Sequence, residues 1–416
     1  PELLVQVDAG TDITALAAAR GLSVTGQFGR RPIWRLQAAA GADAERLAQQ
    51  LRGASGVVFA EPNVDAETPE GQRGNSLWLI GRSEADYVDQ WAPQTLRLAQ
   101  AHARATGVGV RVAVLDTGVE LSHPAFADRL ARRADGSLLG RDFVDDDADP
   151  SEEGGAADAG WGHGTHVAGL VALAAPAATI MPVRVLDRAG RGNAWVLAEA
   201  LAWAIDPDGD PATDDGAHVI NLSLGSVRPT RMLEVAVALA NCEFYYYFYY
   251  YFSPPGFAHA RARVARGHGA AVLAAAGNGG SADERQYPAA EEVKGARAVT
   301  ATTADQRLAA FANFGGWIKL AAPGAQIVSA APGGAWGTWS GTSMAAPLAA
   351  GTAALVLTTP AKDPRPGVAD PLRRWRAEDL MKRLEDRAKK VCDASVKQID
   401  ALAAVTDTQA ADPACP

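Results

Sequence analysis

Few cysteines, no surplus of positive charge and no long unbroken apolar run set the first limits on this chain. It holds three cysteines in 416 residues. Cys392 and Cys415 are near enough in sequence to close a loop that ties down the tail, although spacing alone does not decide the pairing. Cys242 is then the odd one out and reads as a small buried thiol. Acidic residues outnumber basic ones by 48 to 39, for a net charge of -9. No basic cluster offsets that balance, so nothing points to nucleic acid as a partner. The longest apolar stretches, such as MAAPLAAGTAALVLTT (344–359), are alanine-rich and broken by Gly or Pro. They read as buried helices and not as transmembrane segments. No signal peptide is visible, and a chain starting at Pro1 is expected to have had an N-terminal segment removed or left out.

Tyrosine is scarce outside one place. Six of the eight tyrosines lie in EFYYYFYYYF, residues 243–252. Exposed, such a run would favour strand pairing and aggregation, so it is expected to pack against the domain, a second copy or a lipid interface.

The first 65 residues form a self-contained pattern. Strands are expected at 3–8, 22–29, 32–39 and 56–63, with helices at 11–21 and 43–53. Thr11 or Asp12 caps the first helix, and a glycine closes the second. The order β-α-β-β-α-β is that of a small α+β ferredoxin-like domain. The polar stretch DAETPEGQRGNS (65–76) reads as an exposed linker. Beyond residue 92, short apolar runs at 110–116, 179–186, 217–225, 270–278 and 296–303 alternate with helical segments. This predicts an α/β fold, a mostly parallel doubly wound sheet with helices on both faces. Functional residues in such sheets gather at the carboxyl ends of the strands.

Three segments at such ends carry the chemistry. AVLDTGV places Asp116 at the end of the first strand, GHGTHVAG places His163 at the start of a small-residue helix, and SGTSMAAP places Ser343 at the start of another. Serine is a poor nucleophile unless a neutral imidazole takes its proton, and a buried carboxylate orients that imidazole. A helix N-terminus at Ser343 adds unpaired N–H groups beside a developing oxyanion. Pro347, so near the helix start, is expected to cost little. Gly162, Gly164 and Gly341 are expected to keep side chains out of the substrate's path.

With these motifs in the order Asp, His, Ser, residues 80 to 360 resemble the subtilisin-like serine proteases. The resemblance implies an endopeptidase in which Asn278 of AAAGNGG donates to the oxyanion. NLSLGS, with Ser223, Leu224 and Gly225, resembles one wall of the primary specificity pocket, and Ala275, Ala276 and Gly277 resemble the other. Gly190, Arg191 and Gly192 of AGRGN resemble the edge along which substrate lies as an added strand. QYPAA (286–290) and LAAPG (320–324) are further landmarks, and VKQIDALAAV (396–405) resembles the closing helix. The expected domains are a prodomain at 1–65, a linker at 66–79, a subtilisin-like catalytic domain at 80–406 and a tail at 407–416. An insertion is expected at about 228–257.

The resemblance further implies a secreted or periplasmic zymogen acting on protein or peptide substrates. Its own prodomain would be an intramolecular inhibitor, with cleavage between Asn63 and Ser76. Small residues suggest an uncharged side chain before the scissile bond, and Arg191 suggests acidic residues further upstream. No cofactor is expected for catalysis. Structural calcium has two candidate stretches, 142–153 and 206–215, although Ala125 replaces an aspartate common in the family. His166 is read as a packed structural histidine, since no third ligand accompanies it. If the helix at 231–241 is the family's own, the aromatic run lies at the pole opposite the active site; if the segment 257–267 is, it lies near the pocket. The apolar character of 231–241 favours the first. Two alternatives stay open: a transferase or macrocyclase of the same family, with the aromatic insertion as a lid, and a fold kept only for binding, blocked by its N-terminal domain.

Overall fold

The computed structural model describes residues 1–73, 79–210, 213–241, 269–361 and 370–415. The N-terminal part follows the expected order: β1 Glu2–Val7, α1 Ile13–Ala18, β2 Ser23–Gln27, β3 Ile33–Gln37, α2 Ala44–Arg52 and β4 Val57–Pro62. Its antiparallel sheet runs β2-β3-β1-β4, the ferredoxin-like order. Asp12 and Asp43 cap the two helices through their carboxylates. One face of the sheet buries Leu3, Val5 and Leu36 beneath α1 and α2. The other face sends Leu4, Phe28 and Ile33 into a cluster shared with the larger domain.

After β5 (Asp65–Glu67) and β6 (Leu79–Arg82), the chain makes three short helices, α3 Glu84–Asp89, α4 Trp91–Leu96 and α5 Leu98–His102. The large sheet then begins. It contains β7 Arg111–Asp116, β8 Arg141–Asp142, β9 Thr179–Arg184, β11 Val219–Leu222, β12 Ala271–Ala275, β13 Ala296–Thr302, β14 Leu320–Pro323, β17 Lys389–Val391 and β18 Ala394–Gln398. The strand order is β17-β18-β14-β13-β12-β11-β7-β9-β8, parallel throughout except for the β17–β18 hairpin. β10 (Arg191–Asn193) lies outside this sheet and pairs with β5, while β15 (Ile327–Ala331) and β16 (Ala335–Trp339) join β6.

Helices cover both faces. α6 (His163–Ala174) and α9 (Thr342–Leu357) fill one side, and α7 (Ala194–Ala204) and α8 (Arg231–Ala240) the other. Every residue of α9 is buried, which suits a helix apolar all round and built from small side chains. α10 (Ala377–Asp386) and α11 (Ala401–Thr406) close the chain.

Residues 396–405 are not one helix. They finish β18 and start α11, because the Asp400 carboxylate accepts from Ala403 N and caps the helix there. The Cys392–Cys415 disulfide is present and ties the tail to the β17–β18 hairpin. Cys242, the aromatic run and the segment 257–267 lie outside the described residues. The two ends of that stretch meet, since Asn241 Nδ2 donates to Ala270 O at 2.7 Å and Ala270 N donates to Ala240 O at 2.8 Å. Both contacts lie at the amino end of β12, the pole opposite Asn278.

Candidate active site

Asp116, His163, Asn278 and Ser343 converge at the carboxyl edge of the sheet. Asp116 ends β7, and His163 opens α6. Its Nδ1 lies 2.6 Å from Asp116 Oδ1, which also accepts from Thr117 N at 2.8 Å. Both side chains are about 1% exposed, and the ring stands edge-on to Trp339 with centroids 5.2 Å apart. Asn278 follows β12. Its Oδ1 accepts from Thr342 N at 2.9 Å and Thr342 Oγ1 at 3.0 Å, so the amide nitrogen is turned toward Ser343. Ser343 is the second residue of α9, where backbone N–H groups have no helical acceptor.

The glycines serve different ends from those expected. A Cβ on Gly164 would sit 2.1 Å from Gly118 O and 3.1 Å from Asp116 Cβ, so this glycine lets α6 pack on β7. Gly162 caps α6 at φ 85°, a left-handed conformation. Gly341 faces the reaction space, where a Cβ would meet Glu70 Oε1 and come within 3.2 Å of Asn278 Nδ2. Pro347 also departs from expectation. It lies beyond the first turn, so it removes the bond to the Ser343 carbonyl, and Ser223 Oγ donates to that carbonyl instead at 2.8 Å.

Between Ala66 and Glu70 the linker is not exposed. Ala66, Thr68, Pro69 and Glu70 are all buried. β5 pairs antiparallel with β10, with Glu67 opposite Arg191, Ala66 opposite Gly192 and Asp65 opposite Asn193. On its other side Glu67 exchanges two backbone bonds of 2.9 Å with Gly225, and Thr68 N donates to Gly190 O at 3.2 Å. The strand is thus laid between the two segments that the sequence marked as substrate-binding. Val64 and Ala66 point into the cluster that contains Leu224. Arg191 Nε is 3.5 Å from Glu67 Oε1. Ala275 and Ala276 bury their methyls in opposite cores. Gly277 is held by a bond from its N–H to Thr342 Oγ1 at 3.0 Å.

One site residue had no signal in the sequence. Glu70 Oε2 accepts from Ser343 Oγ at 2.7 Å and lies 3.2 Å from His163 Nε2, while Oε1 accepts from Asn278 Nδ2 at 2.9 Å. Ser343 Oγ therefore donates to Glu70 and not to His163. Burial alone would raise the Glu70 pKa, but the bond and charge of His163 and the Ser343 and Asn278 donors together hold it below the ordinary range. Burial likewise pulls His163 down, but Asp116 and Glu70 on its two sides raise it to about 10. His166, buried on the same helix, is bonded to Ile327 O at 3.2 Å and is pushed down to about 3, chiefly by burial. It packs as a structural histidine.

The N-terminal domain docks on α7 and α8. Glu61 of β4 accepts from Arg231 N and Met232 N, both at 2.9 Å, and so caps α8 with a carboxylate. Phe28 meets Trp195 of α7 edge-on at 6.1 Å.

The acidic stretch 142–153 faces Arg184. Asp142, Asp145 and Glu153 all bond Arg184, at 2.6, 2.7 and 2.8 Å. Arg184 pairs with that carboxylate set, whose oxygens also lie close enough together to hold a metal ion. Asp206, Asp208 and Asp215 form a second acidic group. Among the described residues, no helix is long and apolar enough to cross a membrane.

Residues 107–399 match the family model described as the subtilase family. The chain is 37% identical over 327 residues to a thermophilic serine proteinase of Bacillus sp. (strain AK1), covering 75% of this chain and 66% of that one. It is 34% identical over 277 residues to thermitase of Thermoactinomyces vulgaris, covering 64% of this chain and 81% of the relative. Among solved structures, a cold-adapted subtilisin-like serine proteinase superposes with a TM-score of 0.53 at 30% identity, covering 72% of this chain and 91% of that one.

Proposed function

The chain belongs to the subtilase family and is by that membership a serine endopeptidase; from this premise we propose that it hydrolyses peptide bonds through an acyl-enzyme and is made as a zymogen held by its N-terminal domain. Ser343 Oγ attacks the scissile carbonyl while His163 Nε2 takes its proton. Asp116, bonded to Nδ1, fixes the ring and stabilises the imidazolium. Asn278 Nδ2 and the Ser343 N–H receive the oxyanion. The intermediate collapses to the acyl-enzyme, and the leaving amine takes the proton from His163. Water then repeats the sequence in reverse order, deprotonated by His163, and releases the acid and free Ser343.

The single observation that carries this reading is the 2.6 Å contact between buried His163 and Asp116, with Ser343 and Asn278 facing the same point. The substrate groove supports peptides bound as an added strand between 190–193 and 223–225, since β5 already lies there. Arg191 beside Glu67 supports a preference for acidic residues upstream of the cut. For the zymogen, support comes from the passage of residues 64–70 through that groove and from the docking of Glu61 and Phe28 on α7 and α8. The assignment of 1–65 as prodomain, 66–79 as linker, 80–406 as catalytic domain and 407–416 as tail rests on the same contacts. A disulfide at Cys392–Cys415 fits an oxidising compartment, in keeping with secretion or a periplasmic site.

The test is labelling by a fluorophosphonate probe with intact-mass analysis of the wild type and of Ser343→Ala. Labelling of the wild type, with the variant unlabelled and still full length, is the expected result. Labelling of both would place the nucleophile elsewhere.

A further inference from the structure

We propose that Glu70 is a tethered carboxylate inhibitor, whose side chain stands where a substrate's scissile carbonyl must sit and so keeps the linker bound without being cut. The proposal rests on the serine protease reading and adds what holds the enzyme shut.

Up to Thr68 the linker follows a substrate's path, antiparallel to β10 on one side and bonded to Gly225 on the other. After Thr68 it leaves that path. Gly71 N donates to Thr68 Oγ1 at 3.1 Å, and Gln72 N donates to the Thr68 carbonyl at 3.2 Å. The Gln72 amide reaches back to Gly225 O at 3.2 Å. The backbone is thereby folded into a tight turn in place of the extended strand that a cleavable peptide requires. What enters the catalytic centre is the Glu70 side chain.

Its two oxygens engage the nucleophile, the base and one of the two oxyanion donors. Oε1 accepts from the Asn278 amide that would hold the oxyanion, and Oε2 accepts from the nucleophile's hydroxyl and lies 3.2 Å from Nε2 of the base. A planar carboxylate held in this way resembles the acid product of peptide hydrolysis. The surroundings are shaped to it as well: a Cβ on Gly341 would lie 1.7 Å from Glu70 Oε1. The side chain is 3% exposed, and a charge so buried is tolerated only when paired. His163, flanked by Asp116 and Glu70, supplies the pair as an imidazolium, and an imidazolium cannot serve as general base. Glu70 thus blocks the site by occupancy and adds to the pull of Asp116 that keeps the base protonated. The ligand chemistry is a carboxylate on a flexible two-carbon arm, delivered by a strand already seated in the groove.

The experiment compares fluorophosphonate labelling rates of the full chain for the wild type, Glu70→Ala and Glu70→Gln, with intact mass at early times, casein hydrolysis and a melting curve for each. Glu70→Ala is expected to label at least about tenfold faster than the wild type, and on the uncleaved chain. Glu70→Gln, which keeps the shape but loses the charge, is expected to label faster than the wild type as well. Equal rates for the wild type and Glu70→Ala, with casein hydrolysed by both, would overturn the role of Glu70 and leave the protease reading standing. Faster labelling confined to shortened chains would also overturn it, because release by cleavage would then be sufficient. If no variant labels or hydrolyses casein while all melt cooperatively, both readings fall.

Discussion

The Ser223 hydroxyl and the Ser343 carbonyl are joined by a 2.8 Å hydrogen bond that replaces the helical bond Pro347 cannot make. The same two residues meet a second time, where Ser343 Oγ lies 3.3 Å from the Ser223 carbonyl. A residue of the proposed substrate groove therefore fixes the backbone of the proposed nucleophile. Removing the hydroxyl would strand a fully buried carbonyl inside α9.

Ser223→Ala is accordingly expected to lower stability by about 1–3 kcal/mol, the range for an unmet buried acceptor. It should also reduce kcat, because the start of α9 would shift. Urea unfolding in a Ser343→Ala background, together with peptide hydrolysis by the single variant, reads both effects. Unchanged unfolding would mean that water or another donor satisfies the carbonyl.

Asn278 is held by two bonds from Thr342 and presents its amide nitrogen to the site. Asn278→Ala removes that donor but leaves the His163–Asp116 pair untouched. The expected outcome is a loss of about 10²–10³ in kcat with little change in KM, the size of effect known from subtilisin itself. A change mainly in KM would show that the amide serves binding and not the transition state.

How much of this was legible beforehand follows from how local each signal is. Asp12 and Asp43 mark helix starts within a few residues of the elements they cap, and the alternation of strands and helices gave the doubly wound sheet. The segments around Asp116, His163 and Ser343 are short strings whose chemistry travels with them. Asp400 is a local signal that went unread: an aspartate before an alanine-rich run announces the start of α11. Glu70 had no such signal. A lone glutamate in a Pro- and Gly-containing polar stretch is ordinary. Its meaning arises only when β5 pairs with β10 and brings it to residues 93, 208 and 273 positions away. The Arg184 contacts, 31 to 42 positions apart, were hidden for the same reason, and the acidic stretch that faces it reads from sequence as a cation site.

Glu152 lies behind Asp116 and accepts from Thr117 Oγ1 at 2.7 Å and Thr165 Oγ1 at 2.6 Å. Burial pushes its pKa up to about 7, against the pull of the Thr165 and Thr117 donors and with a further push from Asp116. A carboxyl whose pKa is raised on folding holds its proton in the native state at pH values where the unfolded chain has released it. Stability from this group therefore falls as pH rises from about 4.5 towards 7. Compared with Glu152→Gln, both in a Ser343→Ala background, the parent should lose up to about 1.4 kcal/mol per pH unit across that window. Parallel stability curves for the two chains would mean that Glu152 is ionised throughout.

The hold of Glu70 on the active site should depend on pH in a direction that its pairing with His163 dictates. Glu70 is lowered from its ordinary 4.5, so its contribution is complete above that value and is lost as pH falls through the lowered pKa. His163 is raised from 6.5 to about 10, so its contribution is complete below 6.5 and is lost as pH rises towards 10. The other ionisable groups near the pair are Asp116, Glu152 behind it and His166, whose low pKa keeps it neutral over this range. The ratio of labelling rates, Glu70→Ala over wild type, is therefore expected to be greatest between about pH 4.5 and 6.5 and to decline towards one near pH 10. The protonation of the base acts in the same direction, since Glu70 adds to the upward pull that Asp116 exerts on His163. A ratio that stays flat from pH 6 to 10 would mean the linker is held by its backbone bonds to β10 and Gly225, with the ion pair contributing nothing to closure.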